Sequence, residues 1–156
     1  MMVMAPVQFE GPDLTAFREL VPADHGLAVV AVATPDGTVH ASVVCAGVVD
    51  HPVDGRPVVG IVAAGNARKL GLLRVHPRAT VVLRSGFRWA SVEGPVELVG
   101  PDDALAGVDA ERLRLLLREI FTAAGGTHDD LDAYDSVMAA ERRTALLVTP
   151  AATHRV

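Results

Sequence analysis

The aliphatic residues of the first 100 positions fall into short, valine-rich runs separated by proline, glycine and aspartate. Valine is branched at its β carbon, which suits an extended backbone, and such runs between turn residues are typical of strands. Gly94-Pro95 predicts a bulge or bend within the last run. We predict strands at residues 26–34, 39–49, 58–63, 79–84 and 87–99.

Helical spacing replaces these runs at the start of the chain and beyond residue 108. Phe17 and Leu20 lie three residues apart before Pro22, and Leu113, Leu117 and Ile120 recur on one helical face. We predict helices at residues 14–21, 66–75, 109–125 and 129–141, and a closing strand at 145–149.

The turns between the strands predict how the sheet is connected. Pro35-Asp36-Gly37 is a strong hairpin signal, and residues 51–57 are rich in proline, aspartate and glycine. Consecutive strands joined by tight turns favour an antiparallel sheet over a doubly wound parallel one. We therefore expect a mainly β, α+β fold: a small antiparallel barrel with peripheral helices, formed as one domain by residues 1–156.

Composition and charge exclude several functional classes. Acidic residues outnumber basic ones 19 to 14, for a formal net charge of -5, which disfavours a general nucleic-acid binder. Residues 1–9 lack the basic and apolar regions of a signal peptide, and the longest apolar stretch, near 27–33, is far shorter than the roughly 20 residues that span a bilayer. We expect a soluble, cytoplasmic protein without a membrane partner.

Common catalytic and metal-binding patterns are missing. The six histidines show no metal-ligand spacing, and Asn66-Ala67 replaces the Lys-Ser/Thr that a phosphate-binding P-loop requires. Cys45, the single cysteine, excludes an intrachain disulfide, and its place in an apolar strand predicts a buried structural thiol. We therefore predict no metal site and name no catalytic residue.

Residues 65–78 carry the clearest chemical signal. They follow an apolar strand and open a helix, whose first turn has free N–H groups and partial positive charge. Arg68 and Lys69 in that turn are unfavourable by themselves but favourable when an anion binds there. A solvated basic face, or pairing with acids elsewhere, explains the same residues.

Four motifs follow one another along the chain: the hairpin at 34–40, the Arg-Lys segment at 67–78, the Arg-Trp strand at 88–94, and the C-terminal block at 126–134 with 141–143. In this order they resemble the split β-barrel proteins related to pyridoxamine-phosphate oxidase, and more specifically the actinobacterial reductases that depend on the deazaflavin coenzyme F-420. The resemblance covers nearly the whole chain. It departs at Gly71, at Cys45 and in residues 151–156, which lack the C-terminal Arg/His motif of true pyridoxamine-phosphate oxidases.

The resemblance implies a homodimer with cofactor sites at its interface. It places the phosphate-binding residues at the start of the second helix, the ring-binding residues on two strand edges, and a third group on a neighbouring strand or the second subunit. These groups are, in that order, Asn66, Ala67, Arg68 and Lys69; Ser42, Val43, Val44, Val62 and Ala63; and Phe87, Arg88 and Trp89.

The function that follows is a reductase that transfers a hydride from reduced coenzyme F-420 to a small unsaturated or planar substrate. One alternative is an FMN-dependent oxidoreductase of the same fold. The two differ in the cofactor tail, because F-420 carries an oligoglutamate that needs nearby cations and FMN does not. Another is a carrier or sensor that binds a flavin or deazaflavin without turnover, since no acid–base pair is visible. Arg68 is the expected main cofactor anchor.

The dimer is also expected from the residues themselves. The apolar strands at 39–49 and 58–63 carry more apolar surface than a small barrel covers alone. Stable interfaces of this kind typically bury more than about 2,000 Å² in total.

Overall fold

Six antiparallel strands close into a barrel in the computed structural model, which describes residues 8–10 and 13–156. The strands pair in the order β6-β5-β2-β3-β4-β7, and β7 pairs with β6 to close the ring. The predicted antiparallel barrel is therefore confirmed. Its strands are β2 (Leu27–Ala33), β3 (Val39–Asp50), β4 (Pro57–Ala63), β5 (Arg78–Ser85), β6 (Arg88–Val99) and β7 (Thr144–Val148).

Two short strands that the sequence pattern did not indicate extend the sheet beyond β6. They are β1 (Gln8–Glu10) and β8 (Ala152–Arg155); β8 pairs with β6, and β1 pairs with β8. Strand β6 keeps its register with β5 through Gly94 and Pro95 and pairs with β7 from Val96 onward. The β5–β6 pairing therefore has no bulge at Gly94-Pro95, and this segment marks a change of partner strand.

The helices lie close to their predicted positions. They are α1 (Thr15–Leu20), α2 (Arg68–Val75), α3 (Ala110–Ala123) and α4 (Leu131–Ala140). Asp109 and Asp130 cap α3 and α4 by accepting the backbone N–H groups of Arg112 and Ala133 at 2.8 and 3.0 Å. Pro22 does not end the first helical segment, which continues as a short 3-10 turn over Val21–Asp24.

Helix α3 covers the outside of β4. A Cβ at position 60 would lie 2.8 Å from Ile120 Cγ1. Because Gly60 has no side chain, the helix packs directly on the strand. Val58, Val59 and Ile61 are fully buried within the chain. The argument that β4 needs a second subunit to cover it is therefore wrong.

The outer face of β2 and β3, in contrast, is apolar and open. Leu27 and Val29 of β2 are each 42 % exposed, and Val39 and Val43 of β3 are 66 % and 69 % exposed. Antiparallel pairing sets the two rows side by side. We call this surface the β2–β3 face; its residues are Leu27, Val29, Ala31, Ala33, Val39, Ala41, Val43 and Cys45.

A membrane-spanning helix and a metal site have structural requirements that the described residues do not meet. Within residues 8–10 and 13–156, no helix is both long and apolar enough to cross a membrane. In the same residues, no cluster of three or more His, Cys, Asp or Glu side chains is arranged to hold a metal ion. Most of the segment examined for a signal peptide, residues 1–7, lies outside the described residues.

Candidate functional site

A cavity of about 620 Å³ opens where the start of β2, the middle of β3 and the end of β4 meet helices α3 and α4. This volume is within the range of small-molecule and cofactor sites. We call it the cationic cavity. It is lined by His25, Leu27, Val43, Val44, Cys45, Val62, Ala63, Ala64, Ala67, Lys69, Ile120, Phe121, Ala124, Gly125, Gly126, Tyr134, Met138 and Arg143.

The strand side of the cationic cavity is apolar. Val43 and Val44 of β3 and Val62 and Ala63 of β4, four of the five residues that the resemblance assigned to ring binding, line it together. Cys45 lies beside them, and its side chain is exposed, so the expected buried thiol is wrong. The outward side of β3 carries Cys45 because side chains alternate between the two faces of a strand.

An aromatic pair forms part of the helical side. The rings of Phe121 and Tyr134 lie 4.8 Å apart at a tilt of 33°. The Tyr134 hydroxyl donates to the carbonyl oxygen of Leu117 at 3.2 Å, which fixes α4 against α3. Burial raises the pKa of this hydroxyl. Tyr134 therefore offers the cavity its ring, while its polar end is bound to α3.

The charged residues of the lining are both cations. Lys69, from α2, and Arg143, from the segment before β7, line the cationic cavity, and no Asp or Glu does. Burial, and secondarily the charge of Arg143, lowers the pKa of Lys69. Arg143 binds Glu141, with 2.7 Å between Nε and Oε2, whereas Lys69 has no ion-pair partner among the described residues. An anion in the cavity would relieve this repulsion.

Gly65 brings the two cations together. Its N–H donates to the carbonyl oxygen of Glu141 at 3.0 Å, and a Cβ here would lie 2.6 Å from the carbonyl oxygen of Arg142. Only glycine allows this approach, which sets the start of α2 against the end of α4. The N-cap residue Ala67 lines the cavity, and no side chain caps the helix there. Its first N–H groups are therefore available to an anion.

The structure gathers half of the sequence-predicted site residues at this cavity. Those in its lining are Val43, Val44, Val62, Ala63, Ala67 and Lys69. Asn66 and Arg68 are exposed at the start of α2 but do not line it. Ser42 lies on the opposite side of β3 from Val43, where its Oγ is buried and has no hydrogen-bond partner in the described part of the chain.

The remaining predicted residues lie on the β5–β6 hairpin, outside the lining. Phe87 is 65 % exposed at the tip of the hairpin, and Trp89 is half-buried. Arg88 lies 3.4 Å from Glu19 of α1. Within a single chain these residues do not meet the other predicted site residues.

Several lining residues were not predicted as part of the site. Phe121 lies on α3, Tyr134 on α4 and Arg143 in the segment that follows α4. In the sequence, their spacing indicated only a core face and a helix end. Tyr134 and Arg143 do fall within the C-terminal block of the resemblance. That block was the sequence signal for these two residues, but it did not show which strands the helices pack against.

Comparison with known proteins identifies the fold. No protein-family model and no curated protein matches the chain. Among solved structures, a conserved hypothetical protein of Mycobacterium tuberculosis is 19% identical with a TM-score of 0.64, covering 90% of this chain and 82% of that one. A pyridoxamine 5'-phosphate oxidase-related, FMN-binding protein of Nostoc punctiforme is 15% identical with a TM-score of 0.59, covering 90% and 78%.

An F-420 reductase is also similar. It is 16% identical with a TM-score of 0.58, covering 87% of this chain and 94% of that one. Identities this low establish the fold and not the reaction. The chain has the pyridoxamine 5'-phosphate oxidase-like split β-barrel fold.

Proposed function

We propose that the cationic cavity binds a phosphate-bearing flavin-type cofactor, foremost coenzyme F-420, and that the protein is an oxidoreductase acting on a small unsaturated or planar substrate. The observation that carries this proposal is a lining of apolar and aromatic side chains whose charged members are Lys69 and Arg143. Such a lining suits a planar ring joined to an anionic group.

The residues present fit this group. The strand edges at Val43 and Val62 offer a flat apolar surface to a ring, and the Phe121–Tyr134 pair offers an aromatic one. Lys69 and Arg143 would hold the phosphate with the uncapped start of α2. When bound, the reduced deazaflavin would supply the hydride, and the protein would supply binding, orientation and exclusion of water.

The position of Arg68 favours F-420 over FMN. Arg68 follows the cavity-lining Ala67, is exposed, and has no ion-pair partner among the described residues. It is therefore available to an anionic tail that extends out of the cavity, such as the oligoglutamate of F-420. The sequence offers three other arginines for this role, Arg74, Arg78 and Arg88. Arg74 and Arg88 are already paired with Asp103 and Glu19, and Arg78, at the start of β5, does not line the cavity.

His25 is the proposed proton donor to the product. Of the lining side chains that carry a dissociable proton, Lys69 and Arg143 are assigned to the phosphate, Cys45 lies on the proposed dimer face, and the Tyr134 hydroxyl is bound to α3. His25, in contrast, is exposed and has no side-chain hydrogen bond among the described residues. Replacing His25 by Gln should lower turnover across a panel of enones and quinones by about tenfold or more, the usual minimum for a general acid. Cofactor affinity should not change.

A homodimer through the β2–β3 face would complete the site. Leu27, Val43 and Cys45 belong both to this face and to the cationic cavity, so a partner seated there would border the cofactor. Val29→Asp, which places a charge on the face outside the cavity, should give a monomer by sedimentation at micromolar concentration. Val75→Asp, at a valine that is 75 % exposed on α2, is the matched control and should remain a dimer.

Fluorescence titration with F-420 and with FMN tests the cofactor assignment. Lys69→Ala removes a charge-assisted hydrogen bond worth about 1.5–3 kcal/mol, so affinity for either cofactor should fall roughly 10- to 150-fold. Arg68→Ala should lower the affinity for F-420 more than the affinity for FMN. Arg112→Ala, which removes an arginine that pairs with Glu119 on α3, is the matched control and should change neither affinity.

The outcomes separate the alternatives. Failure of both cofactors to bind the wild-type protein would refute the proposal. Tighter binding of FMN than of F-420 would favour the FMN-dependent alternative. Binding without turnover on the whole substrate panel would favour a carrier or sensor.

A further inference from the structure

A second cavity, of about 520 Å³, lies on the other side of α4. It is enclosed by the loop at residues 100–109, the first half of α3 and the second half of α4. Val99 and Leu117 form a buried apolar floor, and Leu105, Leu113 and Met138 are half-buried around it. Half-buried aliphatic side chains around an open volume are suited to contact with an apolar molecule.

Every charged residue of this lining already has an ion-pair or hydrogen-bond partner. The lining contains three acids and three arginines: Asp103, Asp109, Asp135, Arg114, Arg142 and Arg143. Asp109 caps α3, and the other five are paired as Arg74–Asp103, Arg142–Asp102, Arg114–Asp135 and Arg143–Glu141. A charged ligand would have to break one of these pairs, whereas a neutral ligand would not.

The same ion pairs fix the walls of the cavity in position. Arg74 binds Asp103 with two hydrogen bonds of 3.0 and 2.8 Å, which ties the loop to α2. Asp135 accepts hydrogen bonds from Arg114, at 2.8 Å, and from Arg118, which ties α4 to α3. Because these links fix both walls, the apolar floor is not closed over by the chain itself.

We propose that this second cavity, which we call the neutral cavity, is a separate binding site for an uncharged, mainly apolar organic molecule. A dry cavity of about 150 Å³ accepts benzene, so this volume has room for a molecule of more than one ring. The proposal does not rest on the cofactor assignment, since the cationic and neutral cavities share only Met138 and Arg143 of their lining residues.

Two probes that differ by one charged group test the proposal. N-phenyl-1-naphthylamine is neutral, and 8-anilinonaphthalene-1-sulfonate carries the same rings with a sulfonate. The neutral probe should bind the full chain with a saturable rise in fluorescence. Ala139→Trp, at an exposed α4 residue that lines the neutral cavity, should weaken it by about tenfold or more, since the indole would fill much of the site.

Ala64→Trp is the matched control, because Ala64 lines only the cationic cavity. The Ala64→Trp variant should bind the neutral probe as the wild type does and should bind the sulfonate probe more weakly. Ala104→Trp, on the loop, blocks the neutral cavity independently if Ala139→Trp does not fold. In the wild-type protein, methyl NMR should show the neutral probe shifting Leu105 and Leu113, and not Val43 and Val62.

Any of four results would overturn the proposal. They are no saturable binding of the neutral probe to the wild type, loss of its binding in Ala64→Trp, methyl shifts confined to the cationic cavity, and binding to a folded Ala139→Trp variant as tight as to the wild type.

Discussion

The two cavities on either side of α4 have similar volumes and similar apolar floors but opposite electrostatic states. Both contain Arg143, yet the cationic cavity has no carboxylate in its lining, whereas the neutral cavity has Asp103, Asp109 and Asp135. Arg143 is paired with Glu141 in both cases, so the difference comes from Lys69, which lines only the cationic cavity and has no ion-pair partner among the described residues. A cavity that keeps an unpaired cation is suited to an anion, and one with paired charges is suited to a neutral molecule.

Reversal of the Lys69 charge should break this contrast most strongly. Lys69→Glu replaces the unpaired cation by an acid that Arg143 can bind, so affinity for the sulfonate probe should fall by about 100-fold or more. The neutral probe should still bind as in the wild type. Equilibrium titration with both probes measures this, and an equal loss for both would mean that the variant has lost its fold or that the two cavities are not independent.

Separation of Lys69 from Arg143 should have the next largest effect. In Gly65→Ala the new Cβ must move away from the backbone of Arg142, which displaces the start of α2 and is expected to cost about 1–3 kcal/mol of stability. Sulfonate affinity should fall by about tenfold, while the neutral probe is unaffected.

Gly71→Ala is the matched control for this change. A Cβ at Gly71 would have nothing within 4 Å. Alanine in the middle of a helix is favoured over glycine by about 0.5–1 kcal/mol, so this variant should be slightly more stable with unchanged binding. Urea unfolding compares the two variants; equal stability in both would contradict the role given to Gly65.

Loss of an acid should make the neutral cavity accept an anion. Hydrogen bonds from Arg118 and Arg114 lower the pKa of Asp135. Its ionised form therefore contributes stability above the ordinary aspartate pKa, and this contribution is lost as the pH falls through the lowered value. Asp135→Asn should thus be destabilised at pH 7 and should differ less from the wild type in acid, as followed by urea unfolding. At pH 7 it should also bind the sulfonate at Leu105 and Leu113, as methyl NMR can detect.

The smallest effect should be on the titration of Lys69. Lys69 is the only lysine of the chain, so acetylation of its amine can be followed by mass spectrometry without competing side chains. Arg143→Gln should raise its pKa only part of the way to the ordinary value, because burial is the larger cause of the shift and remains. In the wild type, affinity for the sulfonate should fall as the pH rises through the lowered pKa, since neutral Lys69 no longer attracts the anion. If the pH profile of Lys69 acetylation in Arg143→Gln is the same as in the wild type, the electrostatic coupling between Lys69 and Arg143 is contradicted.

The sequence predicted the elements well because their signals are local. The Pro35-Asp36-Gly37 turn, where Thr34 donates to the Thr38 carbonyl oxygen at 3.0 Å, lies between β2 and β3 as expected. Apolar periodicity similarly placed α3. Strand β8 is four residues long and pairs only with strands distant in sequence, so no local pattern marks it.

The sequence could not show which face of β2 and β3 points outward. Strand β2 is apolar on both faces, so its pattern does not reveal the buried side. In the first half of β3, alternation would place Val39, Ala41 and Val43 inside and the polar His40 and Ser42 outside, which is the reverse of the exposure found. Closure of the barrel decides this, with Ala28 and Val30 inside and Leu27 and Val29 outside. The same closure exposes Cys45.

By itself, the sequence determined the antiparallel barrel, its helices and the approach of Ala67 and Lys69 to a strand end, since these follow from periodicity and turn chemistry within short segments. Only the tertiary structure decided that Arg143 lies near Lys69, 74 positions earlier (143 − 69). It also decided that the loop at 100–109 and α4 enclose a second cavity. Both depend on contacts between distant segments, where the backbone of Gly65 and the ion pairs of Asp103 and Asp135 fix distances that no local pattern encodes.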